Sequence, residues 1–277
     1  IMKPFATGLV VGKFAPLHCG HEKLINTALA QCEELFIISY SVPEMPDCEP
    51  EKRLTWLQVR FPQATILVLT PELVARYNLP AIPHNDADIH RHYVATLCLQ
   101  ILRCRPHAVF TAEDYGDGFA NVLARRFAQP VEHVRMARPV GDEAPSGTLI
   151  RSDVHRYRYM LANDVYYSFV RRICLLGGES TGKSTLSKAL ADGLDTVYVA
   201  EFGRDYWEEK NGILTADDLL HIACEQVRRE QQAEANHYLI CDTSPLTTLF
   251  YALDQYGHAP QELHQLAERE YSLVVLC

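Results

Sequence analysis

Short apolar runs rich in β-branched and aromatic residues alternate along the chain with segments of helical period. Gly8–Val11, Leu35–Tyr40, Thr65–Leu69 and Ala108–Thr111 are such runs, and their shortness and composition predict strands buried on both faces. Between them, Glu22–Cys32 places Leu24, Ile25, Ala28, Leu29 and Cys32 on one helical face, which predicts a helix packed on a sheet. Glu51–Phe61 and Asp88–Arg103 carry the same periodicity. Alternating strands and helices predict a parallel α/β sheet with helices over its faces.

A second series starts at Arg172. Strand Ile173–Leu176 leads through a glycine-rich turn into helix Lys183–Leu190. Strand Thr196–Ala200, helices through Asn236, strand Tyr238–Cys241 and strand Leu273–Leu276 follow. The polar, aromatic-rich stretch Ser152–Arg172 separates the two series and is expected to be helical. The expected boundary lies near residue 165, giving domains 1–165 and 166–277. A chain of 277 residues is long enough for two hydrophobic cores. No internal repeat is visible, so two unlike units are expected rather than a duplicated one.

Charge and composition narrow the partners. The formal net charge is −9, which argues against a general electrostatic grip on nucleic acid, so any phosphate binding must be local. No apolar run approaches the length of a bilayer span, and no membrane role is expected. The nine cysteines, at 19, 32, 48, 98, 104, 174, 224, 241 and 277, form no CxxC pair. Their odd number and their places inside apolar runs predict free thiols in a reducing compartment, hence the cytoplasm.

Two loops supply candidate chemistry. Gly12–Lys13–Phe14–Ala15–Pro16–Leu17–His18–Cys19–Gly20–His21 follows the first strand and opens the next helix. A helix N-terminus presents unpaired N–H groups and partial positive charge, and two histidines three positions apart share one side of its first turn. Imidazole titrates near neutrality and can donate to phosphate in either protonation state. Gly20 lets a ligand approach the backbone. Lys13 either assists or stays solvated, as turn lysines commonly do. Far along the chain, Ser146–Gly147–Thr148–Leu149–Ile150–Arg151 opens another helix, with Ser146 and Thr148 as candidate N-caps.

The second loop, Gly177–Gly178–Glu179–Ser180–Thr181–Gly182–Lys183–Ser184–Thr185, matches GxxxxGK[ST] between a strand and a helix. In this motif backbone N–H groups wrap a phosphate, Lys183 reaches the β/γ oxygens and the Ser184 hydroxyl meets Mg²⁺. Asp242 ends a later apolar strand, as expected for an acid near that metal. Glu201, in Glu201–Phe202–Gly203–Arg204–Asp205, is the candidate general base, with Asp205 as its competitor and a plain helix-start acid as the bland alternative for both. Arg204 and Asp205 are candidate substrate contacts. Arg53 and Trp56 suggest packing or surface roles and receive no functional assignment.

The GxFxPxHxGH pattern resembles the signature of the nucleotidyltransferase superfamily, and Ser146–Arg151 resembles its second phosphate motif. These two motifs, then GGESTGKST, EFGRDY and the strand ending Asp242–Thr243, resemble in order the bifunctional nicotinamide mononucleotide adenylyltransferase and ribosylnicotinamide kinase family, the NadR type. The resemblance covers essentially the whole chain. It implies an α/β protein: a Rossmann-like HxGH nucleotidyltransferase domain followed by a P-loop kinase-like α/β domain. It also implies transfer of AMP from ATP to nicotinamide mononucleotide, giving NAD and pyrophosphate, and a second ATP site for phosphorylating nicotinamide riboside, with ATP and Mg²⁺ in both. His18 and His21 would act at the reacting phosphates, with Gly12, Lys13, Phe14, Ser146, Thr148 and Arg151 on ATP. The loop Phe110–Tyr115 would help hold adenosine, although Glu113 and Asp114 also suit a helix cap.

Three departures shape the expectation. The first strand begins almost at once, with no helix-turn-helix before it, so DNA binding is not expected. The stretch Ile82–Tyr93 has His84, His90, His92 and Tyr93 where the family usually offers a tryptophan toward nicotinamide. The chain ends at Cys277, before the expected phosphate-gripping lid, which predicts nucleotide binding at an incomplete kinase domain with weak or absent turnover. The alternatives are an adenylyltransferase for another phosphorylated metabolite and a nucleotide-sensing regulator with little turnover. A homo-oligomer is left open.

Overall fold

A computed structural model describes residues 2–83, 86–112, 116–137 and 144–277. The chain divides into two compact units, Ile1–Val165 and Tyr166–Cys277.

The first unit runs β1 (Phe5–Gly12), α1 (Cys19–Gln31), β2 (Cys32–Ser39), α2 (Pro50–Arg60), β3 (Thr65–Val68), α3 (Pro71–Arg76) and α4 (Ala87–Leu97). It continues with β4 (Ala108–Thr111), α5 (Gly116–Phe127), β5 (Glu132–Arg135) and α6 (Gly147–Ser152). All strands are parallel, in the order β3-β2-β1-β4-β5. Successive connections leave β1 first toward β2 and later toward β4. The carboxyl ends of these three strands therefore border the crevice where open α/β sheets bind ligands. Leu9, Val10, Ile37, Ile38 and Val109 are fully buried, each contributing about 1.5–3 kcal/mol by leaving water.

The helical face expected to include Cys32 stops one residue short of it. Cys32 adopts strand geometry while its N–H still caps α1 through Ala28 O, and it pairs with Phe5 in the sheet. A Cβ at Gly8 would stand 2.3 Å from Cys32 Sγ, so the thiol fits because β1 has a glycine there. The helix expected over Asp88–Arg103 is α4 followed by a π-helical turn, Cys98–Leu102, which Arg103 ends in the left-handed region. Strand β5 escaped the sequence pattern because Glu132–Arg135 is an edge strand carrying charged residues. The stretch Ser152–Arg172 is helical only in part: a 3₁₀ turn at Arg158–Met160 and α7 (Asn163–Tyr167).

The second unit contains β6 (Arg171–Leu176), α8 (Lys183–Gly193), β7 (Val197–Val199), α9 (Phe202–Glu209) and α10 (Ala216–Gln232). After these come β8 (Tyr238–Asp242), α11 (Pro245–Tyr256), α12 (Gln261–Ala267) and β9 (Leu273–Leu276). Its strands are parallel in the order β7-β8-β6-β9. Thr215 and Asp218 form a reciprocal capping box that starts α10. Helices α9 to α12 share an apolar cluster built on Phe202, Leu219, Ile222, Leu249 and Leu263. No helix among the described residues is long and apolar enough to cross a membrane, and all nine cysteines are free thiols.

Candidate functional site

In the first unit, β1 ends at Gly12 because the chain must turn under an aromatic ring. A Cβ at Gly12 would lie 2.9 Å from Phe14, and Phe14 is fully buried at a φ of 50°. The Phe14 ring meets His21 edge-on at 5.0 Å. His18 is the N-cap residue of α1, with its carbonyl accepting from Glu22 N–H. Its ring stacks on that of His21, centroids 3.7 Å apart and planes inclined by 20°. The spacing that suggested a shared helical side thus brings the imidazoles face to face. Gly20 makes room for them, since a Cβ there would crowd the His18 ring at 3.1 Å.

The second phosphate motif folds onto the same loop. The Ser146 hydroxyl caps α6 by accepting from Leu149 N–H at 3.1 Å. Arg151 donates to Ala15 O and, through Nη2, to Thr148 Oγ1 at 3.3 Å. A Cβ at Gly147 would fall 2.9 Å from Ala15 O, so glycine permits the contact. A cavity of about 550 Å³ opens here, lined by Gly12, Lys13, Phe14, His18, His21, Ser146, Thr148 and Arg151 among others. Lys23, His90 and Arg91 add basic groups to its wall, and no carboxylate lines it among the described residues. In a chain of net charge −9, such local segregation favours an anion.

Sequence reading left Arg53 unassigned, yet it is the support beneath this loop. Its side chain is fully buried. Nη1 donates to Ser39 Oγ at 2.9 Å and to Lys13 O at 3.3 Å, and Nη2 to Glu44 Oε2 at 2.7 Å. Ser39 Oγ also donates to Lys13 O. Burial pushes Glu44 up and Arg53 down from their ordinary pKa values, while their attraction opposes both shifts. An arginine within a helical pattern gives no signal that it is buried, because its partners come from β2 and two loops. Trp56 packs in the core, and the exposed Lys13 reaches the cavity. His90 lines the cavity with Tyr40, whose hydroxyl lies 2.8 Å from His90 Nδ1, whereas His92 accepts from Arg126 outside it. Tyr93 is buried, donating to Pro80 O. His84, Glu113, Asp114 and Tyr115 lie outside the described residues.

In the second unit the glycine-rich loop joins β6 to α8. Ser180 and Gly182 adopt φ of 62° and 90°, and glycine takes the latter freely. Thr181 Oγ1 donates to Gly178 O at 2.9 Å and Lys183 Nζ to the same oxygen at 2.8 Å. Ser184 Oγ donates to Asp242 Oδ2 at 2.6 Å. Asp242 is 1% exposed, and its Oδ1 is buried with no hydrogen-bond partner among the described residues. A hard cation takes oxygen ligands from a serine, one carboxylate and substrate phosphates. Ser184 beside an unsatisfied carboxylate oxygen fits Mg²⁺.

Next to the loop is a cavity of about 320 Å³ lined by Gly177, Glu179, Lys183, Glu201, Arg204, Trp207, Thr243 and Tyr251 among others. Gly178, Ser180, Thr181, Gly182, Ser184 and Thr185 lie outside that lining, on the exposed surface of the loop and the start of α8. Glu201 faces the cavity, and burial, then repulsion from Asp242, raises its pKa. Asp205 is exposed on α9 and does not line the cavity, which separates the two candidate bases. Gln226, not singled out in the sequence, holds Glu201 from both sides. Its Oε1 accepts from Phe202 N–H at 3.0 Å and its Nε2 donates to Ala200 O at 3.3 Å.

Comparison with known proteins agrees with this layout. Residues 172–277 match a family model described as an AAA domain. The trifunctional NAD biosynthesis/regulator protein NadR of Escherichia coli (strain K12) is 30% identical over 221 residues, covering 72% of this chain and 49% of that protein. Its Salmonella typhimurium (strain LT2) counterpart is 30% identical over 218 residues, with the same coverage. The chain therefore spans about half the length of these curated relatives. Crystal structures of NadR protein share the fold: one in complex with NR (24% identity, TM-score 0.59, 98% of this chain and 78% of that one), and one with NAD and AMP-PNP (22%, 0.59, 99% and 81%). With two glycine-bearing strand-to-helix loops on two parallel sheets and these relatives matched across most of its length, the chain belongs to the NadR family.

Proposed function

We propose that residues 1–165 form a nucleotidyltransferase domain that moves AMP from ATP onto nicotinamide mononucleotide. Residues 166–277 would form a kinase-like domain that binds a second ATP for phosphorylation of nicotinamide riboside. The observation that carries the first assignment is the cavity in which His18, His21 and Arg151 converge, with no carboxylate on its wall among the described residues. A phosphate oxygen of the mononucleotide attacks the α-phosphorus, the bond to the bridging α–β oxygen breaks, and pyrophosphate leaves. No protein nucleophile is required, so the chain contributes position and charge. The stacked imidazoles stand at the start of α1 to donate to the reacting phosphate, while Arg151 and the α6 amides take the leaving pyrophosphate. Mg²⁺ bound with ATP supplies further neutralisation of the phosphates.

For the second domain, the support is the Ser184–Asp242 pair and the placement of Glu201 in the adjoining cavity. Glu201, with its raised pKa, is suited to accept a proton from an acceptor hydroxyl, and Lys183 to hold the phosphates. The test is incubation with ATP, Mg²⁺ and nicotinamide mononucleotide, followed for NAD. His21→Ala is expected to abolish NAD formation and Lys183→Ala to leave it intact. Equal loss in both variants, or none in either, would refute the division of labour.

A further inference from the structure

Strand β8 passes into α11 through two residues, Thr243 and Ser244, and the sequence decides which of them must bend. Pro245 opens α11, and the residue before a proline is driven into extended conformation. Ser244 conforms, with φ of −149° and ψ of 166°. The reversal therefore falls on Thr243, whose φ is 84°. For a β-branched residue the left-handed region is an outlier, whereas glycine would take it freely. Backbone strain of this kind persists only where the surroundings fix it, and it gathers at ligand-binding positions. Here β6 does the fixing. Thr243 N–H donates to Leu175 O at 3.1 Å, and Cys174 Sγ donates to Thr243 O at 3.4 Å.

What the bend presents is a hydroxyl. Thr243 is 6% exposed and lines the cavity of the second unit. Its Oγ1 has no hydrogen-bond partner among the described residues, and the oxygen is not sealed from solvent, so its opening is that cavity. Thr243 follows Asp242 directly, whose Oδ2 accepts from Ser184, and it shares the cavity wall with Gly177, Lys183 and Glu201. The hydroxyl is thus one residue from the candidate metal ligand and on the same wall as the candidate base, where a phosphate acceptor must meet the nucleotide. We infer that Thr243 is a substrate-binding residue whose hydroxyl hydrogen-bonds the acceptor hydroxyl of a nucleoside in this cavity. The strained turn holds the oxygen in place before the ligand arrives, so little ordering is left to do on binding. This inference rests on the nucleoside-phosphorylating reading of the second unit.

The test is binding of nicotinamide riboside to the full chain saturated with Mg²⁺ and AMP-PNP. Quenching of Trp207 reports it, since of the two tryptophans this one lines the cavity. Thr243→Val keeps the branched shape and loses the hydroxyl. It should weaken riboside binding by about three- to tenfold, as expected for one neutral hydrogen bond, with the urea midpoint of unfolding unchanged. Thr243→Ser keeps the hydroxyl and should stay within about twofold of the wild type. Thr243→Gly relaxes the bend but should bind no better than Thr243→Val. The 5′-deoxy analogue of the riboside lacks the acceptor hydroxyl; it should bind the wild type more weakly and be indifferent to Thr243→Val.

Unchanged riboside affinity in Thr243→Val or in Thr243→Gly would overturn the inference. So would a loss in Thr243→Ser as large as in Thr243→Val, or equal weakening of the riboside and its 5′-deoxy analogue, since either would assign the effect to packing. Weaker binding of AMP-PNP to Thr243→Val would assign the hydroxyl to the nucleotide and overturn it as well. In all of these the wild type still binds the riboside, and the functional reading stands. If the wild type binds AMP-PNP but not the riboside, that reading itself fails and the inference falls with it.

Discussion

The two candidate phosphate-binding regions are built in opposite ways. In the first unit, the groups facing the cavity are side chains drawn from distant places, His18 and His21 at the start of α1 and Arg151 on α6, with Arg53 buried behind their loop and outside the lining. In the second, nine consecutive residues form the loop, largely exposed, and Asp242 joins it from the end of β8. A side-chain site depends on a packed shell to hold each group. A backbone nest depends chiefly on permitted dihedral angles. Damage should therefore spread differently: removal of buried support should cost the first site both stability and function, while changes at the second should remain local.

The largest effect is expected where a side chain itself meets the reacting phosphates. His21→Ala should lower the rate of NAD formation by roughly 10²–10³-fold, the scale for loss of a preorganised donor, with ATP binding at the P-loop unchanged in direct titration. Next, Arg53→Met should destabilise the first unit by about 3 kcal/mol, the lower end for breaking a buried ion pair, because Glu44 is 38% exposed and regains water. Denaturant unfolding followed by hydrogen exchange should place that loss in residues 1–165. An equal loss in the second unit would break the comparison.

For the second site, Asp242→Asn should weaken Mg²⁺-dependent ATP binding about 10–100-fold, the range for disturbed outer-shell ligands, without lowering NAD formation. The smallest effect concerns α10, where hydrogen bonds from Arg228 and Arg229 hold the Glu225 carboxyl down at about 2. Its folded pKa lies below the ordinary value of 4.5. The stabilisation is therefore complete above about pH 4.5 and is lost as pH falls toward 2. The arginines are half exposed, which limits the contribution to about 0.5 kcal/mol. Melting curves of the wild type and Glu225→Gln should differ slightly at pH 6 and converge near pH 2.5.

The same contrast explains which features could be read in advance. The P-loop was legible because its requirements are local: Gly182 at positive φ, Lys183 and Ser184 at fixed offsets, a strand before and a helix after. His18 and His21 were legible as a pair because three-residue spacing on a helix brings side chains together. Asp205 competed with Glu201, the candidate base, because both sit at the start of the same helix, and only the direction of α9 turns Asp205 to solvent. Arg53 and Gln226 gave no signal, since the partners of each are supplied by other strands and loops. Cys32 was assigned to the wrong element because a helical face and a strand start can share an apolar residue.

By itself, then, the order of residues determined the alternation of strands and helices, the two glycine-bearing loops and the separation of the chain into two series. Those features follow from periodicity and backbone preference, which act over a few residues. The folded arrangement alone decided that Ser146–Arg151 closes over the His18–His21 loop, that a charged Arg53 is buried to support it, and that Gln226 braces the backbone on both sides of Glu201. Each of these depends on groups brought together from segments far apart in sequence, where exclusion of water and the exact direction of a hydrogen bond are set by packing.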